Sequence, residues 1–481
     1  MNKRYWIYSA ISAAALLLGL HPCHLWWLSW FSLLPLFLIA LDATQKSRSI
    51  AEYTLAVGTI AFGYGLYWIT AYETLIFALV FLCFAPTFAI YFLLFRLLTR
   101  NSAHPSLVIV TAPLLWLALQ KLYSFTPFGT IAAEIPFYGP FAFFQIASVF
   151  GFTVHGAMVI GLNASIAAYL KRRNASALLL STLFVALLGT SYMFGAHRLK
   201  EPSPQKRELR VSLIQHNFPV DIVWNIQHRD LVQSTYRDLA LKASKEHPDL
   251  IVFPLYNILE DVFRNPQMFT DLARETNAYI LLATYIPHLS DPVRNREFYH
   301  MAILYSPFGK IEDYYQTVVP PPFRHVSEIV VKRYKVIDSP FGKLGINLCY
   351  ENGLSRLSRR AVKLGARMLI SLSNPGHFTH SHMPYYHLMQ DRLRAIETGR
   401  PVVRVSANGY SALIDSKGRI VQQTTLNTAD ILQVITGGEE ETTFYQSHAD
   451  WVSMVSFLWV GIILLRRRKV IVGNGLKPFP T

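Results

Sequence analysis

The chain has 481 residues, of which 52% are hydrophobic and 16% charged, against about 25% charged in an average soluble protein, and this excludes a purely soluble class. A formal net charge of +15 would suit nucleic acid, but Lys3 and Arg4, Lys46 and Arg48, Arg96 and Arg100, Lys171 to Arg173 and Arg466 to Lys469 cluster at the ends of apolar runs. That is the charging of cytoplasmic loops in membrane proteins, so no nucleic-acid partner is expected.

A membrane span needs about 20 predominantly apolar residues. In chain order the candidates are Tyr5 to Leu20, Leu28 to Leu41, Tyr53 to Thr70, Leu75 to Leu98, Leu107 to Leu119, Phe141 to Leu170 and Ala175 to Tyr192, with Val452 to Leu465 near the end. The first is no cleavable signal, because no small-residue cleavage site follows it, and Trp26, Trp27 and Trp30 read as an interfacial aromatic belt. With Met1 inside, every basic cluster falls on the inner face. Seven crossings then put residues 197–448 outside the cytoplasm, and an eighth returns the chain. The segment Ser124 to Pro140, rich in Pro and Gly, is either an outer loop or a re-entrant stretch lining a cavity. The expected organisation is a seven-span membrane domain over 1–196, an extracytoplasmic domain over 197–448, and a last span with a cytoplasmic tail over 449–481.

The soluble part mixes strands with helices. Leu209 to His216 alternates as a strand, and Trp224 to Lys245 reads as a helix. Asp249 to Pro254 and Ala278 to Ala283 are short buried strands. His300 to Tyr305 and Ile311 to Tyr315 flank the turn SPFGK as a hairpin; Tyr334 to Asp338 and Leu344 to Leu348 flank a second SPFGK and predict another. The twin pentapeptide is turn chemistry, not a repeat. Ser355 to Leu364 and Tyr385 to Thr398 read as helices, Met368 to Leu372 and Val402 to Ser406 as strands, and Ser411 to Ile414 with Arg419 to Gln422 as a last hairpin. These elements predict a layered α/β domain. The three cysteines imply no disulfide framework, since Cys23 and Cys83 lie in or beside apolar runs and only Cys349 falls in the soluble part.

The motifs GYGLYWIT (Gly63 to Thr70), FFQIASVFG (Phe143 to Gly151), VSLIQHNFP (Val211 to Pro219), GINLCYE (Gly345 to Glu351), ISLSNPGHF (Ile370 to Phe378) and RLRAIETGRPVVRVSANGYSALID (Arg392 to Asp415) follow one another between apolar runs. In that order they resemble the apolipoprotein N-acyltransferase family, membrane-anchored members of the nitrilase superfamily. The resemblance implies a polytopic helical membrane domain of about eight spans joined to an α-β-β-α sandwich. It also implies a bacterial cytoplasmic membrane location, phospholipid and diacylglyceryl lipoproteins as partners, and no cofactor or metal.

Acyl transfer through a covalent intermediate needs a thiolate nucleophile, a base, and a donor for the oxyanion. The family draws these from Cys, Glu and Lys. Cys349 matches the nucleophile, although a lone Cys is often just a small buried hydrophobe. Glu351 matches the Glu beside it and is expected to support the site. The other two positions depart: Leu255, in Phe253-Pro254-Leu255, stands where the family's Glu follows Trp-Pro, and Tyr315, or Gln316 with the register slipped, stands where its Lys precedes Val-Pro. The run Pro321-Pro322-Phe323 also lacks the family's closing Glu. Substitute bases are Glu260 and Asp261, five or six residues past Leu255, and His377, whose loop also carries His380, His382 and His387; for these histidines a polar surface loop is the plainer expectation, and a metal at His380 and His382 lacks a recognised spacing. Arg392, Arg394 and Arg400 suit lipid phosphate or, more simply, a solvated or salt-bridged helix face.

Three functions compete: N-acyl transfer to lipoproteins, a catalytically degenerate relative that binds lipid or lipoprotein or organises a partner, and an amidase or nitrilase acting on a small amide. The third needs the missing Glu and Lys as well, and the spans favour a lipid-borne substrate.

Overall fold

The computed structural model describes residues 3–20, 23, 25–100, 104–126, 139–202, 208–256, 267–287, 298–317 and 334–473. The chain divides into two compact units, Met1–His197 with His448–Thr481, and Arg198–Ser447.

In the first unit, five helices among the described residues are long and apolar enough to cross a bilayer: Ser47–Ala71, Thr74–Thr99, Pro105–Tyr123, Thr153–Arg172 and Ala175–Lys200. The sequence reading expects eight spans; the described residues show these five, and the segments of the other three expected spans take different forms that do not establish a crossing. Lys3–Gly19 has 17 residues, the second expected span is split into Trp26–Ser29 and Leu34–Ala40, and the last lies in the 23-residue helix Trp451–Gly473. Phe141 to Leu170 is not one helix as predicted: Phe141–Phe144 and Ala147–Phe150 end at Gly151, whose φ of +80° leaves the right-handed helical region, before Thr153–Arg172 begins. Residues 127–138 of the Ser124 to Pro140 segment lie outside the described residues.

The basic clusters meet at one end of this unit. Buried Arg96 donates to the carbonyls of Ala40 and Asp42, both at 2.9 Å, and of Gln45 at 2.5 Å. Asp42 accepts from the Tyr5 hydroxyl at 2.7 Å and lies 3.5 Å from Lys171, while Arg467 donates to the Arg100 carbonyl. Carbonyls left over at helix and loop ends thus find cationic donors without water.

The second unit is a four-layer α-β-β-α sandwich. One sheet holds β1 (Leu209–Gln215), β2 (Leu250–Tyr256), β3 (Tyr279–Pro287), β4 (Phe298–Ser306), β5 (Gly309–Tyr315) and β11 (Asp430–Thr436), in the order β11-β1-β2-β3-β4-β5. The other holds β6 (Leu344–Leu348), β7 (Met368–Ser373), β8 (Val402–Ser406), β9 (Ala412–Ile414) and β10 (Ile420–Gln423), in the order β10-β9-β8-β7-β6. Neighbours β1-β2-β3 and β6-β7-β8 run parallel.

Alternation sorts the side chains into layers. Leu250 and Val252 of β2 and Leu281 and Ala283 of β3 fill the space between the sheets. Ile251, Phe253, Ile280 and Leu282 face the other way, against Val232 and Tyr236 of α1 (Arg229–Ser244) and Phe269 and Leu272 of α2 (Met268–Thr276). The strands β6, β7 and β8 are buried at every residue, because α3 (Ser355–Lys363) and α4 (Met383–Thr398) add Leu357, Ala361, Leu388 and Ala395 to the same core. Gln215 ties the sheets together beyond β1: its Nε2 donates to the Thr425 and Thr428 carbonyls at 2.8 and 2.9 Å, and its Oε1 accepts from the Ser411 and Thr424 hydroxyls at 2.9 and 2.7 Å.

Two sequence expectations fail locally. Tyr334 to Asp338 does not form a hairpin strand with β6; the two meet only through an isolated Ile337–Leu344 bridge. A side chain takes the place of a ladder there, with the Tyr334 hydroxyl donating to the Ile346 carbonyl at 2.9 Å. The helix expected from Trp224 is shorter, starting at Arg229 after a 3₁₀ turn. Both SPFGK segments form one kind of turn, with Ser306 and Ser339 hydroxyls each accepting from the N–H two residues on (3.1 and 3.2 Å), and with Gly309 and Gly342 at positive φ.

Candidate active site

Cys349 directly follows β6 and opens a 3₁₀ turn, Cys349–Gly353. Its φ is +48°, in the left-handed region that a side-chain-bearing residue occupies at a cost of about 1–3 kcal/mol unless its surroundings hold it there. The surroundings do. Gln316, just past β5, donates from Nε2 to the Leu348 carbonyl at 3.2 Å. The Leu348 N–H donates to Glu351 at 3.0 Å, and the Cys349 carbonyl lies 3.0 Å from His387 Nε2 of α4. The peptide groups on both sides of the cysteine are thus fixed by side chains from three elements, and the residue is partly exposed.

Glu351 is wholly buried and is the hub of the turn. One oxygen accepts from the N–H and hydroxyl of Thr317 at 2.6 and 2.8 Å; the other accepts from the Tyr314 hydroxyl at 2.8 Å and from Leu348 N–H. Burial drives its carboxyl up to about 7, against the downward pull of those four donors. Gln316 is anchored in turn by His300 Nδ1, and burial lowers that imidazole to about 4.

The end of β5 therefore reaches the cysteine turn. Tyr315, its last residue, pairs with Met301, and Leu255 stands past an irregularity in β2, paired with Ala283. Both positions come from strand ends of the six-stranded sheet, and Cys349 follows β6 of the other; the side chains of Leu255 and Tyr315, and all of Glu260, Asp261 and Pro321 to Phe323, lie outside the described residues.

The histidines separate. His377 is exposed in the 3₁₀ turn Gly376–Phe378, and partial desolvation lowers its imidazole below the usual range. His382 and His387 are buried, which corrects the expectation of a polar surface loop for these two, whereas His377 and His380 are exposed as expected. No three His, Cys, Asp or Glu side chains converge to hold a metal among the described residues. Arg394, also fully buried, pairs with Glu397 at 2.9 Å and donates to the Gly353 carbonyl at 3.0 Å, so it is salt-bridged but not solvated. Arg392 donates to the Gly418 carbonyl at 2.8 Å, and Arg400 to that of Ala366 at 3.1 Å. All three are committed to backbone carbonyls.

Sequence reasoning missed Thr317 and the pair Asp391–Arg404, whose charges meet at 2.5 Å with both side chains fully buried. The signal was present in Val402-Val403-Arg404-Val405: an arginine between valines in a strand buried on both faces requires an acidic partner.

Residues 232–436 match the Carbon-nitrogen hydrolase model, and residues 12–165 match the Apolipoprotein N-acyltransferase N-terminal domain. The chain is 25% identical to the apolipoprotein N-acyltransferase of Geobacter metallireducens, over 97% of this chain and 96% of that one. It is 23% identical to that of Haemophilus ducreyi, over 94% and 95%. Among solved structures it is similar to Saccharomyces cerevisiae Nit3, a member of branch 10 of the nitrilase superfamily, at 21% identity and a TM-score of 0.39, covering 48% of this chain and 91% of that one. With each unit matching its own model, in the family's order, and relatives aligned nearly end to end, the chain belongs to the apolipoprotein N-acyltransferase family of the nitrilase superfamily.

Proposed function

We propose that this protein transfers an acyl chain from a membrane phospholipid, through a thioester on Cys349, to the amino group of diacylglyceryl-cysteine lipoproteins. The thiolate attacks the ester carbonyl and expels a lysophospholipid; the incoming amine then attacks the thioester, forms the amide and releases the thiol. The observation that carries the reading is the clamped left-handed backbone at Cys349, a conformation kept at a cost and held from both sides. Glu351 is assigned a supporting role, since its oxygens are taken up by the turn and by β5.

With Leu255 and Tyr315 where the family's base and cation stand, the thiol lacks those activators. At an ordinary pKa of about 8.5 only a few per cent of it is thiolate at neutral pH. His377, whose imidazole is shifted below the usual range, is the candidate substitute base. Leu255 and Tyr315 also favour a second reading, a catalytically degenerate relative that binds lipid or lipoprotein or organises a partner.

Incubating the purified full-length protein with radiolabelled phospholipid decides between them. Acyl transfer requires a hydroxylamine-sensitive label on Cys349 that the Cys349→Ala variant lacks. A wild type that stays unlabelled, under conditions where a relative with intact Glu, Lys and Cys is labelled, leaves the binding role.

A further inference from the structure

Behind the cysteine turn lies a chain of buried groups that the proposed chemistry does not use. Asp391 of α4 pairs with Arg404 of β8, whose Nη2 lies 3.2 Å from His387 Nδ1; His387 Nε2 in turn lies 3.0 Å from the Cys349 carbonyl. The same guanidinium donates to the Tyr410 carbonyl at 2.9 Å and to the His387 carbonyl at 3.3 Å. A guanidinium has donors only, so His387 Nδ1 must be the acceptor and the ring's proton must sit on Nε2. A carbonyl only accepts, so Nε2–H donates to Cys349. Burial first, and then the Arg404 charge, pushes this imidazole well below its usual pKa of 6.5, which keeps it neutral.

Resting on the reading of Cys349 as nucleophile, we infer that His387 is a positioning residue: Arg404 fixes its tautomer, and its Nε2–H holds the Cys349 carbonyl so that the left-handed backbone presents the thiol. An imidazole held this way is no base for that thiol, because its one lone pair already receives Arg404. The charged and titratable groups set against it are Arg404 from β8 and Cys349 from the turn; Asp391, on its own helix, reaches it through Arg404. Asn352 donates to the His387 carbonyl at 3.1 Å and locks the helix to the same turn.

The test is the rate of Cys349 alkylation by iodoacetamide in the full-length protein in detergent, from pH 5 to 10, read on the Cys349 peptide by mass spectrometry so that Cys23 and Cys83 do not interfere. Wild type follows one ionisation, that of the thiol. His387→Gln, whose amide N–H can replace the Nε2 donor, keeps that profile and a rate close to wild type. His387→Ala slows alkylation by roughly ten- to a hundredfold, the size of effect that a displaced reacting group produces. A wild-type plateau of reactivity at low pH that His387→Gln abolishes would mean a thiolate–imidazolium pair and overturn the inference, as would His387→Ala reacting at the wild-type rate. Should His387→Ala fail to fold by circular dichroism, the comparison of wild type with His387→Gln decides alone. Thioester formation from phospholipid is followed in parallel: wild type that alkylates but forms no thioester refutes the acyl-transfer reading and leaves the positioning result standing.

Discussion

Glu351 is caught between burial, which favours the neutral acid, and four donors, which favour the carboxylate. With its folded pKa raised to about 7 from 4.5, the folded state binds the extra proton between those values. Its contribution to stability is therefore complete below about pH 4.5 and is lost as pH rises to about 7. Thermal melts from pH 4 to 8 should show that decline in wild type and a flatter course in Glu351→Gln. The glutamine carries its own penalty, because Leu348 N–H and Thr317 N–H point at different oxygens and one of them must face the amide nitrogen; the loss should be about 1–3 kcal/mol at low pH, measurable by denaturant titration. Cys349 poses a simpler question of strain. Cys349→Ala and Cys349→Gly both remove the thiol, but only glycine adopts φ +48° freely. The glycine variant should be the more stable of the two by about 0.5–1 kcal/mol, and equal stabilities would show that the turn stores no strain.

At the scale of elements, the position of the thiol depends on how closely β6 lies against α3. A Cβ on Gly345 would come within 2.7 Å of Ala361 Cβ and 2.8 Å of Leu369 Cδ2. Gly345→Val should then push the strand off its helix, lower stability by about 1–3 kcal/mol and displace Cys349 four residues on, so that alkylation of the cysteine slows along with a lower melting temperature. Most of these elements were legible because the sandwich obeys simple periodicities: β1, β2, β3, β7 and β8 announced themselves as short apolar runs between turn residues, and Cys349 stood at a strand end. What was illegible needed the third dimension. Tyr334 to Asp338 has strand composition, yet it meets β6 through one isolated Ile337–Leu344 bridge and the Tyr334 hydroxyl, not through a ladder. β11 returns from the far end of the domain to pair with β1, a pairing separated by more than 200 residues that no local pattern encodes. Of the histidines after Pro375, His377 and His380 are exposed as their polar loop suggests, whereas α4 carries His387 inward onto Arg404.

For the whole molecule the open question is which face of the membrane the soluble unit occupies, and the membrane unit limits the answers. The loop from Ala40 to Gln45, Arg96, Lys171 and Arg467 gather at one end. The helix Ala175–Lys200 starts beside Lys171 to Arg173 and, at 26 residues, runs about 39 Å. Within the membrane unit the chain leaves this helix at His197, and Trp451–Gly473 carries it back to Arg467. Because Lys and Arg mark the cytoplasmic side and the sequence reading counts seven crossings before residue 197, we propose that the soluble unit lies outside the cytoplasm. The tip of the β4-β5 turn offers a reporter, since Phe308 is 95% exposed, and Arg48, whose side chain is 90% exposed, offers the control at the basic end. In cells with a permeabilised outer membrane, a membrane-impermeant maleimide should label Phe308→Cys and spare Arg48→Cys, with the latter labelled only after lysis. The reverse pattern would invert the topology and, with it, remove the soluble unit from the proposed substrates.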